Sequence, residues 1–115
     1  MITFNNSPSQ KEKQTLIHML KWHRGVFPMI KAKVEENKFA AIYDENILCG
    51  GALIWGNKTV KYLYCFFENS EYCNKQNLAN LESVIAATFP ETVLFDVHCL
   101  KDYSFSYSKN IIKNR

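Results

Sequence analysis

The segment Val60–Phe67 constrains the fold of this chain more than any other part of the sequence. It reads Val-Lys-Tyr-Leu-Tyr-Cys-Phe-Phe, and after its first two residues both faces of an extended strand would be apolar. A strand of this kind is buried on both sides and lies inside a sheet rather than at its edge. We therefore predict that Val60–Phe67 is the central strand of the domain.

Two more strands precede this central strand and are joined to it by tight turns. Residues 39–43 and 47–55 are apolar runs separated by three polar residues, the length of a hairpin loop. A turn at residues 56–58 leads into the central strand. Gly50 and Gly51 interrupt the second run, which predicts a bulge or the close approach of another stretch of backbone.

Helical patterns lie on both sides of these strands. Ser7 and Pro8 occupy the positions of an N-cap and a first-turn proline, so a helix is expected from there to about Trp22. A second helix is predicted at residues 27–36. After the central strand, Asn74 can cap a third helix, because apolar residues recur there at helical spacing, namely Leu78, Leu81, Ile85 and Phe89.

The remaining segments complete an α+β pattern. Ile2–Asn5 alternates briefly and can be a short edge strand, and residues 92–98 form a strong last strand. Residues 101–110 have turn or helix character. The chain is therefore expected to be one α+β domain, residues 1–115, with the element order β-α-α-β-β-β-α-β-α.

Length and composition exclude several classes of protein. With 115 residues, 47% hydrophobic and 22% charged, the chain is expected to fold as one domain and not to be disordered. The net charge of +3 is small and arginine is rare, which argues against a nucleic-acid-binding groove. No apolar run approaches the roughly 18 residues of a membrane span, and the first residues do not resemble a secretion signal. We expect a cytoplasmic protein with no nucleic-acid or membrane partner.

The cysteine and histidine spacings predict no metal site and no redox motif. His18 and His23 are five residues apart and therefore do not share a helix face. His98 and Cys99 are adjacent, and neighbouring strand residues point to opposite faces, which disfavours a nucleophilic pair. No C-x-x-C spacing occurs among the four cysteines, which we expect to be reduced and mostly buried: Cys49, Cys65, Cys73 and Cys99.

The element order and three segments together resemble the GNAT superfamily of acyl-CoA-dependent N-acetyltransferases, over residues 1–112. Residues 42–53 look like the hairpin between the family's second and third strands. Residues 71–75 stand where the family has an arginine- and glycine-rich loop that opens a helix, and residues 105–109 are similar to its late tyrosine-containing segment. The resemblance implies a mixed central sheet of about five strands flanked by helices.

The resemblance also implies a cofactor, acetyl-CoA, and residues to hold it. In the family, backbone N–H groups at a helix start bind the cofactor pyrophosphate, and the pantetheine arm lies along a splayed central strand. The implied catalytic residues are Glu68, as general base for the amine, and Tyr107, as the acid that protonates the leaving thiolate. The implied cofactor-binding positions are one residue on the central strand and four in the loop: Phe66, Asn74, Lys75, Gln76 and Asn77.

This sequence departs from the family pattern at the cofactor loop. The loop has no glycine and no arginine, and the late tyrosine segment lacks its glycine. Because asparagine tolerates left-handed backbone, Asn74 and Asn77 can still shape a nest of N–H groups for an anion, with Lys75 supplying charge. Without such a nest, three side chains are expected to plug the cleft: Tyr72, Gln76 and Tyr107.

Two functions remain open on the sequence alone. One is a GNAT-like module without catalytic activity that binds a protein partner or associates with itself. The missing glycines and the 14% aromatic content favour it, with Trp22 and Trp55 as core residues or interface anchors. The abundance of lysine and asparagine suggests an AT-rich genome, as in many phages and mobile elements.

The other possible function is that of a small active N-acetyltransferase that uses acetyl-CoA. There Glu68 or a water is the base and Tyr107 the acid, although a solvated loop carboxylate and a packing tyrosine are the more usual roles of such residues.

Overall fold

The structure is a computed structural model that describes residues 1–20 and 38–113. In chain order its elements are β1 (Ile2–Asn5), α1 (Gln10–Leu20), β2 (Phe39–Asp44), β3 (Ile47–Gly56), β4 (Val60–Phe67), a 3-10 turn (Ser70–Tyr72), α2 (Lys75–Thr88), β5 (Thr92–Cys99) and β6 (Ser106–Ile111). The helix predicted at residues 27–36, and the predicted end of the first helix at Trp22, lie outside the described residues.

The six strands form one mixed sheet in sequence order, with β1 and β6 at its two edges. Neighbouring strands are antiparallel except for β4 and β5, which are parallel and joined by a crossover through α2. β4 pairs with β3 on one side and with β5 on the other. The prediction that Val60–Phe67 lies inside the sheet is therefore confirmed, as is the α+β class.

Helices pack on both faces of the sheet, and this explains why β4 is apolar on both of its faces. α2 covers one face, where its own apolar stripe meets residues of β4 and β5, including Leu63, Cys65, Phe67, Val93, Phe95 and Val97. α1 covers part of the other face, where Leu16, Met19 and Leu20 pack with residues that include Phe39, Leu53 and Phe66. Successive β4 residues enter these two cores alternately, because side chains alternate along a strand.

The first helix begins two residues later than predicted, at Gln10 instead of Pro8. Ser9, not Ser7, lies before α1, and its Oγ accepts a hydrogen bond from the N–H of Glu12 over 3.2 Å. Glu12 reciprocates, because its Oε1 accepts from the N–H of Ser9 over 2.8 Å. This is a capping box, which satisfies two N–H groups at the helix start and therefore fixes where the helix begins.

Gly50 lies at both of the irregularities that the glycine pair predicts. The register between β2 and β3 shifts after Ile42, which leaves Cys49 as the extra residue of a bulge in β3. A Cβ on Gly50 would collide with the carbonyl oxygen of Phe66 on the neighbouring strand. The bulge and the close approach are both confirmed.

The prediction of turn or helix character at residues 101–110 is wrong for residues 106–110, half of that segment, whereas a turn does lie at residues 103–104. Ser106–Ile111 is strand β6, antiparallel to β5, so within the described residues the sheet has six strands rather than about five, and the last element is a strand and not a helix. The physical reason is an alternation with period two. Tyr107 and Ile111 pack into the core under α2, and Lys109 Nζ reaches Glu82 Oε2 of α2 at 2.9 Å. The intervening serines and Asn110 face the other way.

Candidate functional site

The candidate site lies where β4 ends and α2 begins, since most of the cofactor positions implied by the sequence fall there. β4 and β5 stay paired over their whole length, from Val60 opposite Thr92 to Phe67 opposite Cys99. The pairing continues one residue further, because the N–H of Leu100 donates to the carbonyl oxygen of Phe67 over 2.9 Å. The splayed strand end that the resemblance implies is therefore replaced, in β4 and β5, by a closed ladder.

Asn74 caps the first turn of α2 with its own side chain, as predicted. Its Oδ1 accepts a hydrogen bond from the N–H of Asn77 over 2.9 Å, and its Nδ2 donates to the carbonyl oxygen of Glu71 over 3.1 Å. The φ of Asn74 is −96°, and Glu45 is the one non-glycine residue with a positive φ in the described ranges. The expected left-handed nest at Asn74 and Asn77 is thus not formed. The carboxamide oxygen instead takes the place that an anion would occupy at the helix start.

Asn77 faces into the protein, whereas Lys75 and Gln76 face solvent. Asn77 is 8% exposed, and its Nδ2 donates to the carbonyl oxygen of Tyr72 over 3.0 Å. Lys75 and Gln76 are exposed on the first turn of α2. Of the four loop positions, two therefore hold the turn together and two lie on the surface.

A depression of about 400 Å³ lies beside this turn, and charges of both signs line it. Tyr72 and Gln76 line it together with the carboxylates of Asp44 and Glu71 and the ammonium group of Met1, which lies 3.2 Å from Asp44 Oδ1. Burial raises the pKa of Tyr72, and nearby negative groups raise it further. Two of the three side chains expected to plug the cleft, those of Tyr72 and Gln76, therefore border a surface depression, and the cleft between β4 and β5 is closed by backbone pairing.

Glu68 directly follows β4 and is a partly exposed carboxylate. Its backbone N–H donates to the carbonyl oxygen of Cys49 over 2.9 Å, which extends the pairing of β3 with β4. Lys101 Nζ lies 3.6 Å from Glu68 Oε1, with the two side chains 55% and 38% exposed. An ion pair at this distance and exposure contributes little to stability.

Tyr107 and Phe66 lie on opposite faces of the sheet. Tyr107 is on the face that α2 covers, where its ring centroid is 6.3 Å from that of Phe95. Phe66 is 1% exposed and packs with α1 on the other face. The structure thus brings together the four positions at the start of α2, but it does not bring Phe66 and Tyr107 to the same side of β4.

A second concave site, which the sequence analysis did not single out, lies on the face opposite α2. Its volume is about 370 Å³, and its lining includes Trp55, Tyr62, Tyr64, Leu94, Asp96 and Asn110. The signal in the sequence was the pair of tyrosines at alternate positions of β4, followed by a single carboxylate in the apolar strand β5.

Among residues 1–20 and 38–113, no group of three or more metal-ligating side chains is placed to hold a metal ion. The same ranges contain no helix long and apolar enough to cross a membrane.

Two solved structures share this architecture. The aminoglycoside 6'-N-acetyltransferase from Enterococcus faecium aligns with 84% of this chain at 19% identity and a TM-score of 0.50. An aminoglycoside 6'-acetyltransferase type Ii aligns with 84% of this chain at 20% identity and a TM-score of 0.51. The fold is GNAT-like.

The similarity to these enzymes is a similarity of fold. This chain covers 61% of the length of the first enzyme and 70% of the second. No protein-family model matches the sequence, and no curated protein matches it. Because one fold hosts many functions, the function of this GNAT-like domain has to be argued from its own residues.

Proposed function

We propose that this GNAT-like domain is a non-catalytic module that binds a protein partner. The observation that carries the proposal is the unbroken pairing of β4 with β5, which extends to the hydrogen bond between Leu100 and Phe67. A pantetheine arm that lies along β4 needs the backbone groups at this end, and β5 already uses them. A cofactor would have to break buried hydrogen bonds before it could enter, which costs free energy.

The start of α2 supports the same proposal. A helix N-terminus binds phosphate through N–H groups that have no partner within the helix. Here the N–H of Asn77, one of these groups, donates to the side chain of Asn74 and is therefore not available to a phosphate. The adjacent depression adds the carboxylate of Glu71, which repels a pyrophosphate, whereas the second carboxylate there, that of Asp44, lies 3.2 Å from the Met1 ammonium group.

The surface of the domain offers contacts of the kind that protein partners use. Tyr62 is 52% exposed and Ile112 is 66% exposed, although both are large and apolar. β6 forms an edge of the sheet, where an extended segment of another chain can pair. Tyrosine is also enriched among the residues that carry most of the binding energy in interfaces.

An amide NMR titration with acetyl-CoA tests the proposal. We expect the ¹H–¹⁵N resonances of Phe66, Asn77 and Leu100 to keep their positions up to millimolar acetyl-CoA. We also expect no release of CoA thiol when amines, including aminoglycosides, are added as acceptors. Saturable shifts at these three amides would show that acetyl-CoA binds and would contradict the closed cleft that carries the proposal. Amine-dependent thiol release would show that the domain is an active N-acetyltransferase.

Two variants separate these outcomes further. If acetyl-CoA binds at the α2 start, Lys75→Glu should weaken that binding by reversing a charge near the pyrophosphate. If Tyr107 protonates the leaving thiolate, Tyr107→Phe should lower the rate of thiol release while acetyl-CoA binding is retained. For the non-catalytic module, both variants give the same flat titration and the same absence of thiol release as the unaltered protein. Asn74→Gly serves as a control, because it removes the side chain that occupies the anion position.

A further inference from the structure

The second concave site lies on a part of the sheet that is open to solvent. On the face opposite α2, one row of paired residues crosses from Tyr62 to Leu94 and Asn110, and the next from Tyr64 to Asp96 and Ser108. In these two rows Tyr62, Asp96, Ser108 and Asn110 are exposed, whereas Tyr64 and Leu94 are partly buried.

The depression on this face combines aromatic rings with one carboxylate. Trp55, Tyr62 and Tyr64 contribute the rings, and Asp96 contributes the negative charge. Tyr64 also stacks on His98, with ring centroids 4.5 Å apart and planes 15° from parallel. This stacking holds the Tyr64 ring in a fixed orientation beside Asp96, its partner across the strands.

Asp96 is available to a cation. It is exposed, and its Oδ1 accepts a hydrogen bond from the Ser108 hydroxyl over 2.7 Å. None of the ion pairs within the described ranges involves it. Burial raises the pKa of the Tyr64 hydroxyl, and the negative charge of Asp96 raises it further. The charge of Asp96 therefore acts inside the depression.

We propose that this depression receives the side chain of an arginine on a protein partner, with the guanidinium over the Tyr62 ring and paired with Asp96. A cation within about 6 Å of an aromatic ring centre is attracted to the ring face. Arginine fits better than lysine, because its planar guanidinium stacks on a ring and binds a carboxylate through two parallel N–H groups. The carboxamide oxygen of Asn110 on the rim is a further acceptor.

The assignment rests on the proposed function as a protein-binding module, and it names the chemistry of the contact. Charge complementarity selects the occupant. An acidic peptide would meet the negative charge of Asp96, and a purely apolar segment would bury that carboxylate with no cation to balance its charge. Arginine satisfies the rings and the carboxylate together, and it is one of the residues enriched at the centres of interfaces.

Two short peptides that differ only in charge test the inference on the full chain. The probe is the blocked tripeptide Gly-Arg-Gly, and its control carries citrulline, which keeps the shape of arginine but is neutral. We expect the arginine peptide to shift the amide resonances of Tyr62, Asp96 and Asn110 saturably at millimolar concentration. The citrulline peptide should bind at least about fivefold more weakly, since it loses both the ring contact and the ion pair.

Matched variants give the second part of the test. Asp96→Asn and Tyr62→Leu should each weaken binding of the arginine peptide by about fivefold or more. Glu71→Gln, which removes an exposed carboxylate at the other site, should leave it unchanged. Equal binding of the two peptides, or Asp96→Asn that binds like the unaltered protein, would overturn the inference.

An acetyl-CoA titration of the same samples separates this inference from the proposed function. If neither acetyl-CoA nor the arginine peptide shifts any resonance, the inference about arginine is overturned and the proposed non-catalytic function stands. If both bind, the inference about arginine stands, and the closed cleft that carries the proposed non-catalytic function is contradicted.

Discussion

The backbone N–H of Leu100 donates a hydrogen bond to the carbonyl oxygen of Phe67 over 2.9 Å. Leu100 is 2% exposed and Phe67 is fully buried. The bond lies beyond the last pair of the parallel ladder between β4 and β5. Breaking it would leave a buried carbonyl without a partner, which costs more than the hydrogen bond itself contributes. It therefore holds closed the end of the sheet at which a cofactor arm would enter.

The first prediction concerns this closed end. We expect the amide hydrogen of Leu100 to exchange with solvent nearly as slowly as that of Leu63 in the middle of β4, since both belong to one buried ladder. Acetyl-CoA should leave both rates unchanged. Hydrogen exchange followed by NMR measures this. Fast exchange at Leu100 beside slow exchange at Leu63 would contradict the closed ladder.

The cap at the start of α2 gives the second prediction. Asn74→Ala removes the acceptor for the N–H of Asn77 and should lower the free energy of unfolding by about 1 kcal/mol. Gln76→Ala, in the same turn but exposed, should change it by less than about 0.5 kcal/mol. Urea unfolding of the two variants measures the difference. Equal values would mean that the Asn74 side chain does not hold this turn.

The sequence is informative about this fold where apolar pattern and position are linked. Val60–Phe67 is apolar on both faces, and only an interior strand accommodates that. The sequence does not predict the strand Ser106–Ile111, because Lys109 lies on the same face of it as Tyr107 and Ile111. That face can be recognised as a buried one only once β5 and α2 are placed beside it. The sequence also does not predict whether β4 and β5 separate at their ends. The same apolar residues can line an open or a closed ladder, and the difference lies in backbone bonds such as that between Leu100 and Phe67.

The third prediction tests the core under α2. Leu81 is fully buried and Phe95 is 2% exposed, so Leu81→Ala and Phe95→Ala should each cost about 2–5 kcal/mol of unfolding free energy. Ile112→Ala removes a similar apolar side chain that is 66% exposed, and it should cost less than about 0.5 kcal/mol. A cost at Leu81 or Phe95 as small as that at Ile112 would show that the packing of α2 on the sheet is wrong.

The fourth prediction concerns the cysteines, all four of which are free thiols. Burial raises the pKa of the Cys49 thiol to about 12 and also raises that of Cys65. Because the thiolate is the reactive form, these two thiols should react slowly with a disulfide reagent at pH 8 in the folded protein. In denaturant all four should react at once. Two fast-reacting thiols at Cys49 and Cys65 before unfolding would contradict their burial.

Glu12 connects α1 with the edge of the sheet, and its hydrogen bonds make the stability of the domain depend on pH. Its carboxylate accepts from the N–H of Ser9 over 2.8 Å, from the hydroxyl of Tyr43 over 2.6 Å and from Asn5 Nδ2 over 3.0 Å. The bond from the Ser9 N–H, followed by that from Tyr43, lowers the pKa of Glu12 from 4.5 to about 2. The hydrogen bond from the Tyr43 hydroxyl to Glu12 in turn raises the pKa of Tyr43 from 10.0 to about 12.

The fifth prediction follows from the signs of these two shifts. Glu12 binds protons more weakly in the folded state, so its contribution to stability is present above the unfolded pKa of 4.5 and is lost as the pH falls toward about 2. Tyr43 binds its proton more tightly when folded, so its contribution is present below pH 10 and is lost as the pH rises toward 12. Urea unfolding at a series of pH values should show both losses. Glu12→Gln should reduce both losses, and Tyr43→Phe should reduce both as well, while the alkaline loss that comes from buried thiols such as Cys49 remains. Glu71→Gln, an exposed carboxylate elsewhere, should leave both in place, and a Glu12→Gln profile parallel to that of the unaltered protein would show that this cluster does not set the pH dependence.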